Sequence, residues 1–251
     1  MTKIGELIRE EAANLPLDDS SRESARAFDR ALRPEEAAAC LLRIGLAPED
    51  FLGAPRTGEA LSRLVAAHQR TVPFENLEAV EERQTPSLRI DDLWQKIVQR
   101  ERGGWCYELN GLFAALLRGL GYRTTAHIAN ICKNDQIITG PPRHRINLAY
   151  LPEGVFFCDV GFGGIAAPGF APFYTDHALQ AGPGGTFVFR PFGAGGKILC
   201  QSKEGRETPL MEIEPAPREG TFFLPYNEYS AHDPGSPFIR QAIKRLPEWA
   251  G

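Results

Sequence analysis

At about residue 120 the spacing of apolar residues changes from a helical period to a strand period, and that change divides the chain. Before it, apolar residues recur three and four positions apart. Leu109, Leu112, Phe113, Leu116, Leu117 and Leu120 trace one buried face of a helix that ends at Gly119 and Gly121. Pro34-Glu35-Glu36 opens an earlier helix with Leu41, Leu42 and Ile44 on its apolar side. A second runs from about Gly58 to Arg70 with Leu61, Leu64 and Val65 inward, and a third, near Asp91 to Arg100, carries Leu93, Trp94, Ile97 and Val98. Val72-Pro73-Phe74-Glu75-Asn76-Leu77 interrupts the pattern between them. Residues 1 to about 33 are polar and mixed in charge, and read as weak helix or a loosely held arm. From about Tyr122 onward, short alternating runs separated by glycine, proline and asparagine read as an antiparallel sheet or barrel. Helices followed by strands make an α+β chain. The end, from about Pro215, reads as irregular.

The most informative stretch is Arg102-Gly103-Gly104-Trp105-Cys106-Tyr107-Glu108-Leu109-Asn110. A glycine pair leads into a cysteine that opens the strongest helix. There, unpaired backbone N–H groups and the helix dipole favour the thiolate, the nucleophilic form of cysteine. A free cysteine is also at home as a small buried apolar residue. The five cysteines, Cys40, Cys106, Cys132, Cys158 and Cys200, are scattered, with no Cys-x-x-Cys pair. That speaks for a reducing compartment and against a disulfide framework or a metal site. A net charge of −4 leaves no basic footprint for nucleic acid or an anionic membrane. The first residues lack a signal peptide's apolar run and no stretch is long enough to span a bilayer, so the expected location is cytoplasmic.

Two runs bear on the cysteine's partners. His144, Ile146, Leu148 and Tyr150 alternate with Arg145 and Asn147, and after Pro152-Glu153-Gly154 a second strand places Val155, Phe157 and Asp159 on one face. A connection of two or four residues sets 148 opposite 157 and makes His144 and Asp159 diagonal neighbours on one face, roughly 5–8 Å apart at the backbone. A three-residue loop would put them on opposite faces. Cys158 points the other way and reads as packing. Cys106, His144 and Asp159 together would form a nucleophilic triad: the imidazole takes the thiol proton, the carboxylate orients the ring, and the sulfur attacks an acyl carbon. Taken singly, His144 is equally a sheet histidine and Asp159 equally a turn-capping carboxylate.

These residues, with Arg43-Ile44-Gly45, Val72 to Leu77, His144-Arg145, Asp159-Val160-Gly161-Phe162-Gly163-Gly164, Tyr226-Asn227-Glu228-Tyr229-Ser230 and Ser236-Pro237-Phe238, resemble the arylamine N-acetyltransferase family over roughly residues 34 to 240. The resemblance implies a helical bundle, a central antiparallel β-barrel and a small C-terminal α/β lid, with a cysteine-protease-like triad of Cys106, His144 and Asp159. The corresponding division is 1–33 as an extension, 34–120 as the bundle, 121–214 as the barrel and 215–251 as a short lid, since family members usually continue past this point. It further implies acetyl-CoA as acyl donor, with Gly161, Gly163 and Ser236 near the nucleotide. An aromatic amine, hydrazine or N-hydroxyarylamine would be the acceptor, against Phe74 and Phe162. No permanently bound cofactor is expected, and a homo-oligomer is left open. Trp105 stands where the family more usually has tyrosine or phenylalanine; Glu108 and Asn110 read as braces and Arg102 as the holder of a carboxylate. The competing readings are a macrolactam-forming amide synthase of the same fold, a cysteine hydrolase with water as acceptor, and a catalytically silent binding protein.

Overall fold

The computed structural model describes residues 26–133, 136–138, 140–141, 143–163, 170–172, 178–182 and 185–246. The helical half begins with α1 (Pro34–Arg43), whose proline occupies the first turn and whose Glu36 carboxylate accepts from Arg33 N–H at 2.8 Å. Leu42, expected inside, is 64% exposed; the buried stripe is Ala37, Cys40, Leu41 and Ile44. α2 (Gly58–Thr71) is capped by Thr57, which accepts from Ala60 N–H at 3.1 Å, and buries Leu61, Leu64 and Val65 as expected. A two-residue strand β1 (Phe74–Glu75) and a single turn α3 (Leu77–Val80) follow.

The third predicted helix divides. α4 (Ile90–Trp94) passes into a π turn, Gln95–Gln99, closed by Arg100 N–H on Gln95 O at 3.0 Å. The wider turn carries Lys96 into the interior, where it is 8% exposed. α5 (Cys106–Gly119) then runs through the middle of the core, buried on nearly every side from Cys106 to Leu117.

Residues 26–33 are not the loose arm expected from their polarity. Leu32 N–H bonds Ala115 O at 3.0 Å, Asp29 accepts from Gly220 N–H at 2.5 Å, and Arg30 pairs with Glu36 and Asp91. The rest of the expected extension, residues 1–25, lies outside the described residues.

Among the described residues the strand half is one antiparallel sheet of nine strands in the order β6-β5-β4-β2-β10-β9-β8-β7, with β3 added to β2. The strands are β2 (Arg123–Lys133), β3 (Gln136–Ile137), β4 (His144–Leu151), β5 (Gly154–Cys158), β6 (Phe170–Pro172), β7 (Gln180–Gly182), β8 (Gly185–Phe192), β9 (Gly196–Lys203) and β10 (Arg206–Ile213). The sheet curls as a partial barrel around its own apolar interior of Ala129, Ile146, Leu148, Phe157, Phe187, Phe189, Leu199, Met211 and Ile213. Its other face packs on the helices through Ile128, Ala149, Phe156 and Cys158. A hairpin at Glu204-Gly205, both residues at positive φ, joins β9 to β10, and a second, at residues 193–195, joins β8 to β9.

The segment after Pro215 differs most from its reading as irregular chain. A 3-10 turn, Gly220–Phe223, leads into α6 (Leu224–His232). Polar Asn227 and Ser230 are buried beside Tyr226 and Ala231, so this helix has no single apolar stripe for periodicity to reveal. A short 3-10 turn at Pro237–Ile239 and β11 (Lys244–Arg245), which pairs with β1, complete the described chain. Asn76 ties this strap to the helical half: its amide donates to Phe238 O at 2.5 Å and Gln241 O at 2.9 Å, and its oxygen accepts from Ile243 N–H at 2.6 Å.

Candidate active site

Trp105 is extended (φ −94°, ψ −176°) and Cys106 is the first helical residue of α5. Glu108 N–H and Leu109 N–H both bond Trp105 O at 3.0 Å. Among the described residues the N–H groups of Cys106 and Tyr107 have no backbone acceptor, as the first turn of a helix leaves them. Cys106 is 6% exposed.

The histidine and the aspartate arrive by hairpin register. Leu148 pairs with Phe157, Tyr150 with Val155 and Leu151 with Gly154, so the loop is the two residues Pro152 and Glu153. This is one of the two lengths that set both side chains on one face. Asp159 follows the last residue of β5, and its Oδ2 lies 2.6 Å from His144 Nε2. With Nε2 so engaged, Nδ1 is the ring nitrogen left for the Cys106 thiol, which lies near enough to help hold the imidazole's proton. The structure thus brings the three residues singled out in the sequence, Cys106, His144 and Asp159, into one neighbourhood.

Asp159 is 0% exposed and every contact it needs is supplied. Oδ1 accepts from Asn110 Nδ2 and from Gly161 N–H, each at 2.9 Å. The Asn110 amide also donates to Arg145 O at 2.6 Å while its oxygen accepts from Val160 N–H at 3.0 Å. Behind them Gln69 Nε2 donates to the Asp159 carbonyl at 2.8 Å. Burial alone would strip His144 of its proton. The charge and hydrogen bond of Asp159, reinforced by the Cys106 thiol, outweigh it and raise the imidazole pKa to about 10. At neutral pH the ring therefore holds its proton and stands as the cationic partner that a cysteine thiolate needs.

The remaining predicted residues fall around this centre. Phe162 stands edge-on to the His144 ring at 5.7 Å between centroids. Gly161 packs on the nucleophile itself, where a Cβ would stand 2.8 Å from Cys106 Cα. Gly163, at φ +69°, lies against Phe74, whose ring a Cβ would meet at 2.6 Å. Phe74 is 5% exposed, with Phe238 of the C-terminal strap 6.2 Å away on it. Ser236 is fully buried; its hydroxyl donates to Ser230 O at 2.8 Å and accepts from Phe238 N–H at 3.2 Å, so it caps a turn. Gly164 lies outside the described residues. Arg102 does hold a carboxylate, that of Glu75, at 2.7 Å. Cys158 faces the helices, fully buried, and burial pushes its thiol pKa up. No group of histidine, cysteine and acidic residues suited to a metal ion occurs among the described residues.

Two contacts escaped the sequence. Gln69 reaches the main chain of Asp159, and Trp105 Nε1 donates to Asn227 Oδ1 at 2.8 Å, linking the turn before the cysteine to α6. The only signal for the first is a polar residue on the inner side of α2; the second has none.

Comparison with known proteins matches residues 57–248 to the family model described as N-acetyltransferase. The arylamine N-acetyltransferase of Mycolicibacterium smegmatis is 30% identical over 79% of this chain and 72% of its own length. The arylamine N-acetyltransferase / N-hydroxyarylamine O-acetyltransferase of Salmonella typhimurium is 36% identical over 45% of this chain, an alignment spanning 40% of that relative's length. The solved arylamine N-acetyltransferase structure from Salmonella typhimurium superposes with a TM-score of 0.76 at 28% identity, covering 86% of this chain and 77% of that one.

Proposed function

The chain belongs to the arylamine N-acetyltransferase family, and from that premise we propose that it carries an acetyl group from acetyl-CoA, through a thioester on Cys106, to an arylamine, hydrazine or N-hydroxyarylamine. The observation that carries the reading is the buried His144–Asp159 pair, bonded at 2.6 Å, set beside Cys106 at the start of α5. In this scheme residues 34–120 deliver the nucleophile, residues 121–214 the acid–base pair, and the C-terminal segment the cover.

In the first half-reaction His144 holds the proton taken from the thiol, and Cys106 Sγ attacks the thioester carbonyl of acetyl-CoA. The oxygen that gains charge faces the free N–H groups of Cys106 and Tyr107. The C–S bond to CoA breaks, and His144 returns the proton to the departing CoA sulfur. In the second half the acceptor nitrogen attacks the acetyl carbon on Cys106 while His144 removes its proton. The imidazole then reprotonates the sulfur as it leaves. Asp159 keeps the ring in one tautomer throughout and stabilises its charged form. Phe162 and Phe74 form apolar walls for an aromatic acceptor. Gly161 leaves side-chain-free backbone against Cys106 and Gly163 against Phe74, and the thioester arm of the donor would enter along this edge. Ser236, enclosed as it is, would reach the donor only if the turn at residues 233–238 opened.

Incubation with acetyl-CoA followed by intact-mass measurement tests the scheme. One added acetyl group is expected, absent from Cys106→Ala and discharged by an arylamine or hydrazine. A wild-type protein that gains no acetyl group would overturn it. Among the described residues no helix is long and apolar enough to cross a membrane.

A further inference from the structure

Glu108 lies two residues past the nucleophile, is 1% exposed, and has no part in the chemistry above. Both its oxygens are taken by donors. Oε1 accepts from the Lys96 ammonium at 2.7 Å, and Oε2 accepts from the Trp105 N–H at 3.1 Å, one residue before Cys106. Gly104 leaves the carboxylate its room, since a Cβ there would stand 2.9 Å from it. Lys96 comes from the π turn, and its own carbonyl accepts from Arg102 N–H at 3.1 Å, which closes the loop leading to the cysteine.

The charged groups around Glu108 come from three directions. From the π turn, Lys96 bonds Glu108 and also Glu78 on α3, which is 23% exposed on its side chain. From β1, buried Glu75 bonds Arg102 at 2.7 Å, and Glu82 pairs with the same guanidinium at 3.6 Å. Four carboxylates thus share two cations. Protonating either oxygen removes the charge and turns an acceptor into an O–H donor, which weakens its bond to Lys96 or to the Trp105 peptide.

The geometry points to Glu108 as a positioning residue: its ionised carboxylate, anchored by Lys96, pins the Trp105 peptide and with it the turn that aims the Cys106 sulfur, and protonation slackens that turn. This assignment rests on the acetyl-transfer reading. Burial, with the charge of Glu78, works against ionisation more strongly than Lys96 favours it, and the Glu108 pKa is raised to about 7. The hold on the nucleophile is accordingly lost across neutral pH and not at an acid extreme.

The test is the single-turnover rate of Cys106 acetylation by acetyl-CoA from pH 5.5 to 9, in the wild type, Glu108→Gln and Lys96→Met. The wild type is expected to show an acid limb centred near pH 7 in the maximal rate, with little change in the acetyl-CoA concentration giving half that rate. Glu108→Gln should lose the limb and run about ten- to a hundredfold slower at pH 8, the scale of a misplaced reacting group. Lys96→Met should move the limb to higher pH. Alkylation of Cys106 by iodoacetamide over the same range needs no acyl donor. An alkylation limb without acetylation would sink the transfer reading and leave Glu108's role standing. A limb that survives in Glu108→Gln, or wild-type rates in that variant at every pH, would overturn the assignment. If Glu108→Gln does not fold, as judged by near-ultraviolet circular dichroism, an unmoved limb in Lys96→Met does the same.

Discussion

Asp159 lies just past the end of its strand, yet its Oδ2 stands 2.6 Å from Nε2 of His144 on the neighbouring strand. The contact depends on a two-residue loop at one end of the hairpin and on Asn110 and Gly161 at the other, which turn the carboxylate back toward the ring. Strand pairing supplies the parity and the helix supplies the aim.

Asp159→Asn should keep the shape and remove the charge that sustains the imidazole's basicity. Acetylation of Cys106 at pH 7 is expected to fall by about 10³–10⁴, the loss typical of a triad deprived of its carboxylate. Stopped-flow acylation on the folded variant checks this, and a loss below tenfold would remove Asp159 from the mechanism.

The same ion pair links stability to pH. Folded His144 keeps its proton up to about pH 10, whereas an unfolded histidine releases it near 6.5. Between those values the native state binds more protons than the unfolded state, so this contribution is complete below pH 6.5 and is lost as pH rises toward 10. The urea midpoint of the wild type should therefore decline relative to His144→Gln between pH 6.5 and 10. A gap that widens in the wild type's favour would contradict the sign.

Asn110→Ala should leave Asp159 Oδ1 one donor short and the Val160 N–H unpaired in a dry interior. A cost of about 1–3 kcal/mol is expected, read as a lower thermal midpoint by about 2–4 °C per kcal/mol. Acylation should fall further than the lost stability explains, because the carboxylate is free to turn away. Stability lost with full acylation retained would make Asn110 a structural brace only.

Asn76→Ala should release the C-terminal strap by removing three hydrogen bonds at once. Limited proteolysis is expected to cut beyond α6 faster than in the wild type, and the Michaelis constant for a bulky aromatic acceptor should change as Phe238 leaves Phe74. Unchanged cleavage would show that β11 and the 3-10 turn hold without the asparagine.

How much of this was legible follows from where each partner lies in the chain. The cysteine helix and the His144–Asp159 hairpin could be read because their signals are local: an apolar stripe in one case, alternation about a short turn in the other. The π turn could not, because Lys96 differs from an ordinary helical lysine only in where one widened turn sends it. α6 escaped because its buried side includes Asn227 and Ser230. Gln69 and Trp105 find partners 90 and 122 residues away, in a carbonyl and an amide that no spacing rule reaches. Leu42 was misassigned because a period of 3.6 leaves the edge of a stripe ambiguous, and tertiary packing turned it outward.

The bond from the Trp105 indole to Asn227 gives the molecule a built-in optical probe. The chromophore is one residue from the sulfur, is 1% exposed, and rests its polar atom on a different helix. Read in a variant whose other two tryptophans are replaced, fluorescence from that indole is expected to follow whatever disturbs either side, loading and discharge of the thiol included.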